Sequence, residues 1–324
     1  MSRRATATIL SALLIAAPAS TQTLPSVPAE APASVPVSPV EDSVQLVMLA
    51  LLGDRITLPV SIGGQGPYRF ILDTGSERTV VSHELARTLD LAAGRRVVLT
   101  TITGRTPAAT VIVPTIAIDA LAATGSIEAP ALDAIDLGAA GLIGLDTLAG
   151  RAVSIDFDAR SMVVRDARRR APARPKPDEI IVRARSLLGQ LILTEARLGS
   201  QRVDVILDTG TGVSIGNLAL QRAIAGRRGM LRRIELTSVT GEQIGADYHA
   251  VPQLSVGGIT FRDIPIAFLD AAPFRRLGLD RRPAILLGMD AMRLFRQVDI
   301  DFANRAVTFR LPADLRRRGA PPGL

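Results

Sequence analysis

An apolar run that closes on Asp-Thr-Gly and then a hydroxyl residue occurs twice in this chain, as FILDTGSERTVVS at 70–82 and VILDTGTGVSIGN at 205–217. Two further pairs of segments follow in the same order. LTTITGRT at 99–106 answers LTSVTGEQ at 236–243, and LIGLDTLAGRAVSIDFDARSMVVR answers LLGMDAMRLFRQVDIDFANRAVTFR. In that last pair Ile155, Asp156, Phe157, Arg160 and Arg165 fall on Ile300, Asp301, Phe302, Arg305 and Arg310 at one constant offset. Collinear matches of this kind mark a duplicated unit. The chain must therefore fold as two similar halves, and whatever each phrase does it can do as a pair.

Each half reads as mostly β. Short Val/Ile/Leu/Thr runs are bounded by Gly, Pro, Asn and Asp turn signals. ITLPVSIGGQGPYRFIL and LILTEARLGSQRVDVIL alternate like strands before each Asp-Thr-Gly. SIDFDARSMVVR and DIDFANRAVTFR read as hairpins, which gives Asp156 and Asp301 structural roles. One helix per half is expected after the phrase, HELARTLDL capped by Ser82 and LALQRAIAG capped by Asn217 and ended by a Gly. A shorter helical turn is expected after LIG and LLG, capped by Asp146 or Asp290. His83 falls on a helix start and His249 in a strand, positions of packing or surface.

The expected layout is an export signal at 1–19, a Pro/Ala-rich spacer at 20–45 and a first lobe at 46–167. An Arg/Pro-rich linker at 168–179 leads to a second lobe at 180–312 and a flexible tail at 313–324. Arg3 and Arg4, the apolar ATATILSALLIAAP and the small residues APA at 17–19 carry the signal reading, and imply a bacterial periplasmic or secreted protein. No stable membrane span is expected, because the apolar run is short.

Composition removes several chemistries. The 324 residues include no Cys and two His, so disulfides, thiolate catalysis and thiolate or His-rich metal sites are excluded, and no cofactor or metal is expected. The net charge of +7 comes almost wholly from Arg. Aromatics are 3% with no Trp, so no basic stretch carries the stacking residues of a single-strand binder, and no nucleic-acid partner is expected.

A strand that ends in Asp-Thr-Gly delivers a carboxylate at a tight loop. Gly there permits close backbone approach, and Thr offers a hydroxyl to the opposite loop. Two such loops facing each other would set Asp73 against Asp208. Two carboxylates that close hold one proton between them and can polarise a water.

On these residues the chain resembles the aspartic peptidases of the pepsin/retropepsin type, in particular the bacterial retropepsin-like branch. Asp73-Thr74-Gly75-Ser76 and Asp208-Thr209-Gly210-Thr211 match the family's two loops. Leu142-Ile143-Gly144 and Leu286-Leu287-Gly288 match its second signature. The resemblance implies a mostly β, bilobal acid-protease fold: two tandem retropepsin-like β-barrel lobes related by a pseudo-twofold axis, in one monomeric chain. It implies an aspartic endopeptidase acting on peptide or protein substrates. Asp73 and Asp208 are its catalytic pair, Thr74, Gly75, Thr209 and Gly210 support the loops, and Ser76 and Thr211 bond their own Asp carboxylates. Thr103, Gly104, Thr240 and Gly241 lie where the family places flaps. The first such segment has no Tyr, and the nearest in the second is Tyr248.

Three rivals stand beside this reading. GVSIG at 212–216 fits the nucleophile elbow of a serine hydrolase around Ser214, with His249 the only later imidazole and no counterpart in the first half. Asp73 to Thr79 passably fits the phosphate loop of an actin/Hsp70-like nucleotide fold. A duplicated β scaffold that binds peptide without cutting it is the third.

Overall fold

The computed structural model describes residues 55–118, 124–167, 175–224 and 232–312, together with the strand backbone of 6–8, 12–15, 45–48 and 50–52. Most of the expected export signal and spacer, the start of the linker and all of the tail lie outside the described residues.

The first half begins with a hairpin, β1 (Arg55–Ile62) and β2 (Gln65–Leu72), which runs into the first Asp-Thr-Gly. It continues through β3 (Val80–Ser82), α1 (His83–Thr88), the long hairpin β4 (Ala93–Thr101) and β5 (Arg105–Val113), and β6 (Ile116–Ile118). Then come β7 (Ile127–Leu132), α2 (Ala134–Leu137), β8 (Gly141–Ile143), α3 (Leu145–Leu148), and the hairpin β9 (Arg151–Asp156) and β10 (Ser161–Asp166).

The second half opens with β11 (Glu179–Leu187), β12 (Gln190–Leu198) and β13 (Gln201–Leu207), which ends at the second Asp-Thr-Gly. β14 (Ile215–Gly216), α4 (Leu218–Ala223), β15 (Arg232–Thr237) and β16 (Gln243–Val256) follow. β17 (Ile259–Phe268), α5 (Ala272–Arg276), β18 (Ala284–Leu287), α6 (Met289–Met292), β19 (Gln297–Asp301) and β20 (Ala306–Arg310) complete it.

Strand order makes the duplication physical. The first lobe runs β1-β2-β8-β3-β7-β5-β4 and the second β12-β13-β18-β14-β17-β16-β15, position for position. In each, the strand before Asp-Thr-Gly pairs in parallel with the LIG or LLG strand: Leu72 lies opposite Ile143, and Leu207 opposite Leu287. A parallel neighbour must arrive by a crossover, and the chain between the paired strands runs to about seventy residues in the first lobe and about eighty in the second.

The lobes are tied by strands too. β9 pairs antiparallel with β19, with Ser154 opposite Asp299, its own counterpart in the repeat, so the pseudo-twofold axis passes through that pair. The Ser154 hydroxyl bonds the Asp299 carboxylate, and Gln297 Nε2 donates to both, at 2.6 and 2.8 Å. Inward-facing alternate residues (Val153, Ile155, Val298, Ile300, Val307, Phe309) make this joining sheet part of one buried core with both lobes.

Several local expectations correspond to what is seen. Ser82 accepts from Leu85 N–H at 3.0 Å and Asn217 from Leu220 N–H at 2.8 Å, so both helices carry the expected N-caps. The Gly expected to end the second helix lies outside the described residues. Asp156 and Asp301 close their hairpin turns by accepting from Ala159 and Asn304 N–H. The short turns α3 and α6 differ from expectation. Their N-caps are Gly144 and Gly288, not Asp146 and Asp290. Those two carboxylates reach instead to Thr79 and Ser214 on the neighbouring loop.

Candidate active site

Each Asp-Thr-Gly is held from behind by its own lobe. Asp73 N–H donates to Ile143 O and Asp208 N–H to Leu287 O, both at 3.0 Å. The loop then passes so close to the incoming strand that a side chain at Gly144 would come within 2.3 Å of Arg78 backbone, and one at Gly288 within 2.8 Å of Val213. That approach is the physical reason for the Gly in the second signature.

Between lobes the two threonines exchange four hydrogen bonds. Thr74 Oγ1 donates to Leu207 O at 2.9 Å and accepts from Thr209 N–H at 3.1 Å. Thr209 Oγ1 donates to Leu72 O at 2.7 Å and accepts from Thr74 N–H at 3.0 Å. Thr74 and Thr209 are buried, so no water competes for these groups. Each loop thereby fixes the other.

The lattice brings the carboxylates into one place. A Cβ at Gly75 would stand 2.6 Å from Asp208 Cγ, so the glycine is what admits the opposing carboxyl. Gly75 and Gly210 N–H donate to Oδ1 of their own aspartates at 2.9 and 3.0 Å. Burial first, and then the charge of Asp208, push Asp73 well above the usual carboxylate range, against the pull of loop amides and Arg55. Ser76 and Thr211 depart from expectation. Their hydroxyls donate to Arg78 O and Val213 O, at 2.7 and 2.9 Å, and so brace the loop instead of bonding the carboxylates.

The hairpin tips hold the remaining predicted positions. Thr103 and Gly104 lie in the β4–β5 turn, Thr240 and Gly241 in the β15–β16 turn, and the turns meet: the Thr103 hydroxyl bonds the Glu242 carboxylate. Gly241, at φ +77°, comes so close to α2 that a Cβ would be 2.8 Å from the Asp136 carboxylate. Beside the tips the exchange is reciprocal. Ile102 of the first lobe is buried in an apolar cluster of the second, with Ile192, Ile206 and Phe274. Val239 of the second lobe is buried among Ile71, Val80 and Leu142 of the first. Asp73 and Asp208 have no exposed surface. Sequence reasoning expected a pair that solvent reaches; this conformation is closed instead. The signal for it was the shared apolar position in ITG and VTG, whose crossing to the opposite lobe no local pattern encodes.

Ser214 is buried in a structural network. Its Oγ donates to Asp290 at 2.7 Å and accepts from Gly288 N–H at 3.0 Å. Thr79, Asp146 and Gly144 repeat that arrangement in the first lobe, at 2.8 and 3.1 Å. An imidazole is not among Ser214's partners, and His249 stacks on Phe268, 4.5 Å between ring centres. Among the described residues no group of three or more His, Cys, Asp or Glu could hold a metal ion, and no helix is long and apolar enough to cross a membrane. Sequence reasoning also passed over Arg55 and Gln190, both buried beside the loops. Gln190 Nε2 donates to Gly75 O at 2.6 Å across the lobe boundary.

Two β lobes with one strand order, joined by a shared sheet and by paired Asp-Thr-Gly loops, define the bilobal retropepsin-like class. The family model for aspartyl proteases matches residues 58–147 and 194–291, together more than half of the chain. The chain belongs to that family. A comparison with curated proteins found no match.

Proposed function

We propose that this protein is an exported aspartic endopeptidase that cuts peptide bonds with a water activated between Asp73 and Asp208. The observation that carries the reading is the reciprocal threonine lattice, which holds two buried carboxylates against each other with Gly75 as the gap between them. Such a pair keeps one proton. With substrate present, the ionised carboxyl takes a proton from water as the water oxygen adds to the scissile carbonyl carbon. The protonated carboxyl gives its proton to the carbonyl oxygen. As the gem-diol collapses, the first carboxyl gives the proton it took from water to the leaving nitrogen, and a gem-diol hydroxyl gives its proton to the second carboxyl, so the pair ends as it began.

Cleavage also requires the β4–β5 and β15–β16 hairpins to part and readmit water and peptide. The expected pH profile peaks on the acid side of neutrality. It rises as the first carboxyl ionises and falls as the shared proton is lost. The closed cleft also suits a second reading, a scaffold that captures peptide without cutting it. Incubating the protein with a peptide library across pH, with and without pepstatin, separates the two. Pepstatin-sensitive cleavage inside peptides is the expected result. Peptides retained uncut would favour capture, and pepstatin-insensitive cleavage would refute the aspartic mechanism.

A further inference from the structure

Glu77 directly follows the first Asp-Thr-Gly-Ser, and the second loop has Gly212 at the same step from its own aspartate. One side of the carboxyl pair thus carries an acid that the other side lacks. Backbone bonds fix its place. Ser76 O accepts from Leu145 N–H at 2.9 Å and Glu77 O from Asp146 N–H at 3.2 Å, so the β8–α3 segment that holds Asp73 holds Glu77 as well.

The side chain meets a cation from the other lobe. Arg276, in the last turn of α5, brings Nη2 to 3.8 Å from Glu77 Oε1, with the two side chains 29% and 16% exposed. A charge-assisted pair normally closes to about 2.7–2.9 Å, and this one does not. Glu77 Oε1 and Arg276 Nε are both buried, and neither has a hydrogen-bond partner among the described residues. Arg78, the next residue along, donates instead to Glu128 O at 3.4 Å. Burial outweighs the pull of both arginines and holds the Glu77 carboxyl above its ordinary value. The carboxylate is under-satisfied.

The two partners answer opening of the cleft differently. α5 packs on β4 of the first hairpin, and its Phe274 shares a buried cluster with Ile102. When the hairpins part, α5 loses that cover and Arg276 goes with it, while Glu77 stays on the catalytic loop. A peptide that enters then meets a carboxylate beside the catalytic pair whose counter-ion has left.

Resting on the peptidase reading above, we propose that Glu77 selects the substrate: it binds a Lys or Arg side chain of the peptide in the place that Arg276 holds when the cleft is shut. A flexible cation brought by the substrate can close to hydrogen-bond distance, which Arg276 does not. Arg276 is then a stand-in that the basic residue displaces. Gly212 offers nothing equivalent, so the preference falls on one side of the scissile bond. It also fixes which way round the peptide lies in a nearly twofold site.

The test is a peptide library with a neutral, acidic or basic residue at each position around the cut. It is read as kcat/KM for the wild type, Glu77→Gln, Glu77→Lys and Arg276→Ala, each shown folded by a thermal melt. The wild type should favour a basic residue over a neutral one at one fixed position, by at least about tenfold. Glu77→Gln should erase that ratio, Glu77→Lys should turn it toward acidic residues, and Arg276→Ala should enlarge it through a lower KM. A residue that serves only the fold would change the rate for every peptide alike. A basic preference that survives in folded Glu77→Gln, or no basic preference in the wild type, would overturn the proposal.

A second measurement needs no cleavage. Reduced-bond peptides with Lys or norleucine flanking the reduced bond are titrated into the wild type and Glu77→Gln by calorimetry. Tighter binding of the Lys peptides should appear in the wild type and vanish in the variant; equal affinities in both proteins would overturn the proposal. Absence of turnover in the wild type would defeat the peptidase reading alone and leave this arm to decide the role of Glu77.

Discussion

Ile102→Ala is expected to open the cleft. In the closed structure Ile102 has no exposed surface and sits in the second lobe's apolar cluster, while Val239 does the converse. When the hairpins part, both side chains meet water. Full burial of an aliphatic side chain of this size is worth about 1.5–3 kcal/mol. Truncation to Ala removes most of that from the closed state and little from the open one. At about 1.36 kcal/mol per factor of ten, the open fraction should rise roughly 10- to 150-fold.

The assay is alkylation of Asp73 and Asp208 by a small epoxide directed at carboxyl groups, followed by peptide mapping. In the closed state neither carboxyl has surface to offer, so the labelling rate follows the open fraction. Val239→Ala should give a similar gain, because the two contacts are related by the repeat. A folded Ile102→Ala protein that labels at the wild-type rate would refute the idea that these crossed contacts hold the cleft shut.

Thr209→Ala should destabilise the fold by about 2–6 kcal/mol, since it strands Leu72 O and Thr74 N–H in a buried site at about 1–3 kcal/mol each. Urea unfolding reads the loss, and Thr209→Ser should retain most of the stability. Ser214→Ala should lower stability by about 1–3 kcal/mol while the folded protein keeps its peptidase turnover; loss of turnover at unchanged stability would revive the serine reading. Burial raises Asp290 above the ordinary carboxylate value, and Asp146 likewise. A raised carboxyl binds more protons folded than unfolded, so its contribution is full below its unfolded value and is lost as pH rises through the folded one. Unfolding free energy measured against pH should fall over that window, less steeply in Asp290→Asn; an unchanged slope would contradict the assignment.

Much of the fold was legible because the repeat displays each signal twice. The capping residues Ser82 and Asn217 and the hairpin aspartates Asp156 and Asp301 act within a few residues of chain, so local pattern finds them. Asp146 and Asp290 misled for the same reason. They stand at helix starts, yet their oxygens serve Thr79 and Ser214 on a loop brought near by the parallel crossover. Ser76 and Thr211 could bond an adjacent carboxylate, but the turn aims them at the carbonyls of Arg78 and Val213. Arg55 and Gln190 gave no motif at all. Their place beside the loops depends on strand register.

Peptide hydrolysis by the wild type, Asp73→Asn and Asp208→Asn, measured side by side at the wild-type optimum with folding checked for each, bears most directly on the shared-proton pair. Each single substitution leaves one carboxyl without its partner, and turnover should disappear in both. Wild-type turnover in either folded variant would mean that bond cleavage does not pass between these two carboxyls.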